Sequence, residues 1–302
     1  MSINKKVTII TKMQNDYLNE SIHTSSDNSP KYKTRHEYAD QIFQRLKECK
    51  LSLEKEFNQG NRIKSCVIDK LLCEKDAKEI YEAFPRDEYE NLLLLKDLRE
   101  YKYVGMQMNK YNPIIKEIIY AFQDPRIVSL VSEITRFDEL FPDEYLYAGG
   151  ISIMKNGGFL NPHLDNSHDK DRKNYRVMNL LYYVTPDWKE EYGGNLELWD
   201  WGLKHQQRTI HSKFNRLVIM ITNKKSWHSV SKVNYEGQRC CVSNYYFSSQ
   251  AGEEKDYFHV TSFRGRPEQK MRDLLLQGDA TLRNGIRKLF KHGIRKPHFY
   301  EK

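Results

Sequence analysis

The stretch GGFLNPHLDNSHD, residues 157–169, sets His163 and Asp165 two positions apart behind a glycine pair and a proline. On an extended strand, residues i and i+2 project from the same face, so an imidazole nitrogen and a carboxylate oxygen at this spacing can meet one cation. A lone His-x-Asp is more often a surface hydrogen-bonded pair, and a metal centre needs a third donor from elsewhere. The chain offers ten histidines. His228 is the best placed, because it follows the apolar run RLVIMIT and the polar turn NKKSW, which can fold it back over a core. His205 and His211 compete, but neither precedes an arginine on an apolar strand at suitable spacing.

Two imidazoles and one carboxylate on one face form the donor set of non-haem iron(II) oxygenases, leaving three positions of an octahedron open. Zinc accepts the same set, so the donors alone do not name the metal. An anion site narrows the choice. Arg239 opens the apolar strand RCCVSNYYF, eleven residues after His228. A guanidinium grips a carboxylate in a two-pronged fork, and burying one without an anion is unfavourable. Ser243, four residues on, shares the Arg239 face. The pair suits the far carboxylate of 2-oxoglutarate, whose keto acid end can take two of the open metal positions.

These residues require strands. From Tyr145 onward the chain is short, aromatic and β-branched: EYLYAGGISIM, YRVMNLLYYVT, GGNLELWDW, RLVIMIT and RCCVSNYYFSS, punctuated by Gly, Asn, Pro and Asp. That spacing predicts a sandwich or barrel. The first half reads as mostly helical. Apolar positions from Tyr32 to Phe57 recur at helical intervals, RIKSCVIDKLL (62–72) reads as a strand, and CEKDAKEIYEAF as a helix ended by Pro85. Asn112-Pro113 and Asp124-Pro125 are two capped helix starts. PEQKMRDLLLQ and DATLRNGIRKLF return to helix. The expected fold is α+β with a mainly β core, helices packed on one sheet, and a basic helical tail. The expected division is 1–60 as a helical lead-in with a polar, turn-rich start over 1–30, 61–250 as the β domain, and 251–302 as the basic extension.

The chain has 302 residues, a mean hydropathy of −0.79 and a net charge of +8. Residues 264–302 hold eleven Lys/Arg against four Asp/Glu, so the excess is local. This predicts a solvated helical face, with contact to an anionic partner as its functional counterpart, and Arg264 and Arg266 as candidate anion contacts. No apolar run is long enough for a transmembrane segment, and no secretory leader is evident. The five cysteines include no C-x-x-C pair and read as reduced thiols of a cytoplasmic protein.

The ordered series PHLDN, NLLYYVTPDWKEEYGGNLELW, FNRLVIMITNKKSWHSV and GQRCCVSNYYF resembles the Fe(II)- and 2-oxoglutarate-dependent dioxygenases, in particular the prolyl 4-hydroxylase-like branch that includes the hypoxia-factor prolyl hydroxylases. The resemblance covers roughly residues 62 to 250. It implies a double-stranded β-helix, or jelly roll, and an enzyme that hydroxylates an aliphatic C–H with release of succinate and CO2. It implies His163, Asp165 and His228 as iron ligands, and Arg239 with Ser243 on the distal carboxylate of 2-oxoglutarate. Tyr183 matches a family tyrosine that hydrogen-bonds this cosubstrate, and Asn179, on the same strand face, is placed with it. Fe(II), 2-oxoglutarate, O2 and ascorbate are the implied cofactors. One departure stands out. A cosubstrate-binding tyrosine often precedes the first histidine by about ten residues, and here Ile153 and Met154 occupy those positions, with Tyr147 the nearest substitute. The expected substrate is a prolyl or other residue in a peptide, with a free amino acid, carbohydrate or other small molecule as the alternative. The rival classes are a non-catalytic binding module on the same fold and a zinc hydrolase, for which no general base can be named.

Overall fold

The computed structural model describes residues 32–86, 89, 91–147, 149–251, 257–289 and 300, and the unit described below begins at Thr34. The lead-in expected over residues 1–30 lies outside them. Helix α1, Arg35–Phe57, starts at a capping box: Thr34 accepts from the Glu37 amide while its own amide donates to the Glu37 carboxylate. Its apolar stripe, Tyr38, Ile42, Leu46, Leu53 and Phe57, is buried. Strand β1, Ser65–Asp69, and helix α2, Glu74–Glu82, follow. Helices α3, Pro113–Ala121, and α4, Pro125–Thr135, each begin with proline at a position whose amide has no helical partner, capped by Asn112 and Asp124.

Between α2 and α3 lies a hairpin that the helical reading of the first half does not anticipate. Strand β2, Leu93–Lys96, pairs antiparallel with β3, Glu100–Gly105. Asp97 closes the turn by accepting from the amides of Arg99 and Glu100. The remaining strands are β4, Phe141–Pro142; β5, Gly150–Met154; β6, Phe159–Leu164; β7, Tyr175–Tyr183; β8, Leu196–Leu198; β9, Arg208–Ile210; β10, Arg216–Ile221; β11, His228–Val230; β12, Arg239–Ser248; and β13, Ser262–Phe263. The pairing order is β1-β10-β7-β12-β5-β3-β6-β11-β8-β9, every pair antiparallel. Strand β3 joins the two runs, with Tyr103 opposite Ile153 of β5 and Tyr101 opposite Phe159 of β6. The sheet thus curls into a jelly roll.

Alternation along β7 and β12 separates core from site. Leu180, Tyr182, Val242 and Tyr246 face the helices, where Tyr182 packs near Phe122 and Tyr246 hydrogen-bonds the Phe122 carbonyl. Tyr183, Arg239, Cys241 and Ser243 alternate to the other face. A smaller apolar cluster of Met154, Leu160, Val230, Phe263 and Leu276 closes the far side. The two C-terminal helical segments of the sequence are one helix, α5, Lys270–Leu289, running through Gly278. All five cysteines are free thiols. No helix among the described residues is long and apolar enough to cross a membrane.

Candidate active site

Strands β6 and β11 pair so that His228 stands directly opposite His163, and Asp165 follows β6. His163 Nε2 lies 3.6 Å from Asp165 Oδ1, and His228 Nε2 lies 3.5 Å from Oδ2. One donor atom from each of the three residues falls within 4.8 Å of the others. Both imidazoles are buried, and Phe263 of β13 stacks on His163 at 5.1 Å. His163 Nδ1 is 3.0 Å from the Asn161 carbonyl and His228 Nδ1 is 2.9 Å from the Ser226 carbonyl. A carbonyl only accepts, so each Nδ1 carries the proton and each Nε2 presents a lone pair to the shared centre.

The charges suit a cation. Burial, reinforced by the neighbouring His163, pushes His228 down to about 3 against the pull of Asp165, so its imidazole is neutral at ordinary pH. Burial alone would raise the Asp165 carboxyl. Arg176 and the two imidazoles outweigh it and hold the group well below the usual range. Arg176 Nη2 sits 3.1 Å from Asp165 Oδ2, which also accepts from Asn179 Nδ2 at 2.8 Å. With Oδ2 held twice, Oδ1 is the oxygen left for a metal.

Arg176 was not singled out by sequence, although an arginine near the start of the apolar strand YRVMNLLYY is the same signal that marked Arg239. Its guanidinium is 4% exposed, donates to Asn179 Oδ1 and Asn166 Oδ1, and lies 3.6 Å from the Tyr245 ring centroid. Asn179, placed by sequence with the cosubstrate-binding residues, has both ends of its amide engaged by Asp165 and Arg176. Its position is therefore beside the carboxylate. Lys102 was also missed, because β3 itself was missed. Burial pushes Lys102 down, but Glu100 at 3.0 Å, with Tyr245 and Asp165, keeps it charged beside the site.

Arg239 is 4% exposed, and its Nε and Nη1 have no hydrogen-bond partner among the described residues. Its guanidinium carbon lies 5.0 Å from the ring of the buried Tyr183. Ser243 lies on the same face, with Cys241 between them. A buried cation with two unpartnered nitrogens fits an absent anion, as the His-Asp-His donors fit an absent metal. Gly194 shapes this place. Its φ is +69°, and a Cβ there would sit 2.9 Å from Arg239 Cδ, so the glycine pair does more than make a turn.

Other sequence candidates fall elsewhere. His211 Nε2 bonds the Trp188 carbonyl and His205 is exposed. Ile153 and Met154 are both buried, in the two different apolar clusters. Arg264 and Arg266, read as anion contacts, are bound instead by carboxylates of the chain, Asp273 and Glu197, each at 2.6 Å.

Residues 149–247 match the family model of the 2OG-Fe(II) oxygenase superfamily. Among solved structures, a Pseudomonas putida prolyl-4-hydroxylase is similar at 14% identity over 65% of this chain and 98% of that one, with a TM-score of 0.48. A Trichoplax adhaerens prolyl hydroxylase in complex with a hypoxia-inducible-factor peptide fragment shows 17% identity, 67% and 92% coverage, and a TM-score of 0.48. HygX from Streptomyces hygroscopicus, bound to nickel, 2-oxoglutarate and hygromycin B, shows 13% identity, 68% and 92% coverage, and a TM-score of 0.45. No curated protein matches by sequence. The family match lies over the β core that brings His163, Asp165 and His228 together, so residues 149–247 carry a 2OG-Fe(II) oxygenase domain.

Proposed function

We propose that this oxygenase hydroxylates an aliphatic C–H of a residue in a peptide or protein, prolyl in the first instance. His163, Asp165 and His228 hold iron(II), and Arg239, Ser243 and Tyr183 hold 2-oxoglutarate. The observation that carries the reading is the unpartnered guanidinium of Arg239 on the same interior as the three converging donors. Bound iron(II) supplies the redox chemistry that couples decarboxylation of 2-oxoglutarate, giving succinate and CO2, to transfer of the second oxygen atom of O2 into the C–H bond. The Asn161 and Ser226 carbonyls fix both imidazoles in the ligating tautomer, and Arg176 with Asn179 fixes Asp165 as a one-oxygen ligand. Phe263 screens His163 from water.

The prolyl assignment rests on the motif resemblance. A second reading, a charged small molecule such as a free amino acid, is favoured by the Lys102–Glu100 pair beside the site. Succinate release across a panel of proline-containing peptides, amino acids and sugars, with ascorbate included as reductant, separates the two. Turnover with a peptide supports the first and turnover only with amino acids the second. Iron and 2-oxoglutarate binding without succinate on any substrate would favour a binding module. An anionic contact is expected of the basic extension, 251–302, whose charge excess lies in residues 264–302. Unchanged turnover and weaker polyanion binding after removal of those residues would support it.

A further inference from the structure

Helix α5 is amphipathic in the reverse sense. Its charged side faces the body of the protein: Asp273 binds Arg264 and the Gly265 amide, Asp279 meets Arg99 and Arg283, and the Arg287 carbonyl accepts from Arg172. Leu276 is the one leucine of the helix buried there among the residues with described side chains. The outward side carries Met271, Leu274, Leu275, Gly278, Thr281, Leu282 and Gly285, a stripe at i, i+3, i+4, i+7 spacing. Met271 is 80%, Leu274 69%, Leu275 60% and Leu282 65% exposed.

Two features of the stripe say what covers it. Gly278 and Gly285 lie inside a helix, where glycine weakens it relative to alanine, and nothing lies within 4 Å of the place a Cβ would take. Packing among the described residues therefore gives no reason for either glycine, whereas close approach of a second helix does. The stripe is also divided into a bulky half, Met271-Leu274-Leu275, and a hollowed half, Gly278-Thr281-Leu282-Gly285. A two-fold axis at Gly278 sets Met271 over Gly285, Leu274 against Leu282, and Leu275 against Thr281, in both directions at once. A self-complementary surface of this kind is what a two-fold dimer requires. The four large side chains expose on the order of 1,000 Å² over two copies, the lower bound of what a biological interface buries. A lipid surface fits less well, because an interfacial helix carries its lysines and arginines on its free side, and here Arg272, Arg283 and Arg287 are turned inward.

We infer that α5 is a homodimerisation helix, pairing antiparallel with α5 of a second copy across Gly278. This is independent of the oxygenase chemistry. Sedimentation or light scattering of the full chain should give a dimer at micromolar concentration. Leu274→Asp should make it monomeric with an unchanged circular dichroism spectrum, while Leu51→Asp, at a leucine of α1 that is 80% exposed, should not. Gly278→Leu should raise the dimer dissociation constant at least tenfold. Gly278→Cys should cross-link two copies under oxidation, and Leu51→Cys should not. A monomeric wild-type chain, a dimer indifferent to Leu274→Asp and Gly278→Leu, or a monomer that binds lipid vesicles through this stripe would each overturn the inference.

Discussion

Replacing Arg239 by methionine tests the anion site from two sides. The guanidinium is buried with Nε and Nη1 unpartnered, so in the ligand-free protein it is an uncompensated cation. Methionine fills a similar volume without that charge, and replacing a poorly compensated buried ion by an apolar side chain is commonly neutral or stabilising by about 1–4 kcal/mol. The ligand-free variant should therefore melt no lower than wild type, and preferably higher. With 2-oxoglutarate the order reverses. Removing one partner of a buried charge pair costs about 2–5 kcal/mol, which weakens cosubstrate binding about 30-fold or more. At 100 times the wild-type Kd, 2-oxoglutarate stabilises the native wild-type chain by about 2.7 kcal/mol, whereas at about 30-fold weaker binding the variant should gain about 0.9 kcal/mol, and less if binding is weaker still. Thermal unfolding with and without 2-oxoglutarate, alongside a separate iron(II) titration, reads both effects. A destabilised ligand-free variant, or iron affinity lost in step with 2-oxoglutarate, would refute the reasoning and make Arg239 a structural cation.

Gly194→Ala should weaken 2-oxoglutarate binding and lower stability by about 1–3 kcal/mol, since its φ of +69° and the 2.9 Å approach to Arg239 Cδ leave no room for a methyl; calorimetry and denaturant unfolding check both. Asn179→Ala should lower iron affinity about 10–100-fold while sparing 2-oxoglutarate affinity in a metal-loaded sample, because it removes the amide that holds Asp165 Oδ2. Metal-free stability should fall on mild acidification. His228 is held near 3 in the fold and titrates near 6.5 when unfolded, so below that higher value the unfolded chain binds a proton the native one does not. The loss is about 2 kcal/mol between pH 7.5 and pH 5 and should disappear in His228→Gln. Asp165, whose carboxyl is depressed in the fold, loses its contribution only at pH values below the ordinary carboxylate range, outside this window.

Much of the site was legible because strands announce their faces. His163 and Asp165 stand two apart, and Arg239 and Ser243 four apart, so period-two alternation groups each pair before any contact is known. What sequence could not supply was cross-strand register. The pairing of His228 with His163 depends on which strand lies beside β6, and that is set by sheet closure through β3. The β2–β3 hairpin itself was hidden, since NLLLLKD carries no alternation and reads as well as a helical turn. With it went Lys102. Arg176 and Asn179 lie three apart and meet around Asp165 near the register shift between β12 and β7 at Tyr246/Phe247, which simple alternation does not anticipate. Phe263 reached the site from beyond residue 251 because β13 pairs back onto β6, a long-range contact that a short two-residue strand does not signal. The single helix α5 was divided in the sequence reading by Gly278, whose effect on local propensity is real but smaller than the ionic contacts that hold the helix on either side.

We propose that three distant side chains hold one iron(II), with 2-oxoglutarate anchored alongside by Arg239. Anaerobic addition of Fe(II) and then 2-oxoglutarate to the metal-free protein tests it directly by visible absorption. A metal-to-ligand charge-transfer band should appear only with both, be absent in His163→Ala, and in Arg239→Met require far more 2-oxoglutarate. A wild-type protein that gives no band, or a His163→Ala variant that gives the same one, would contradict it.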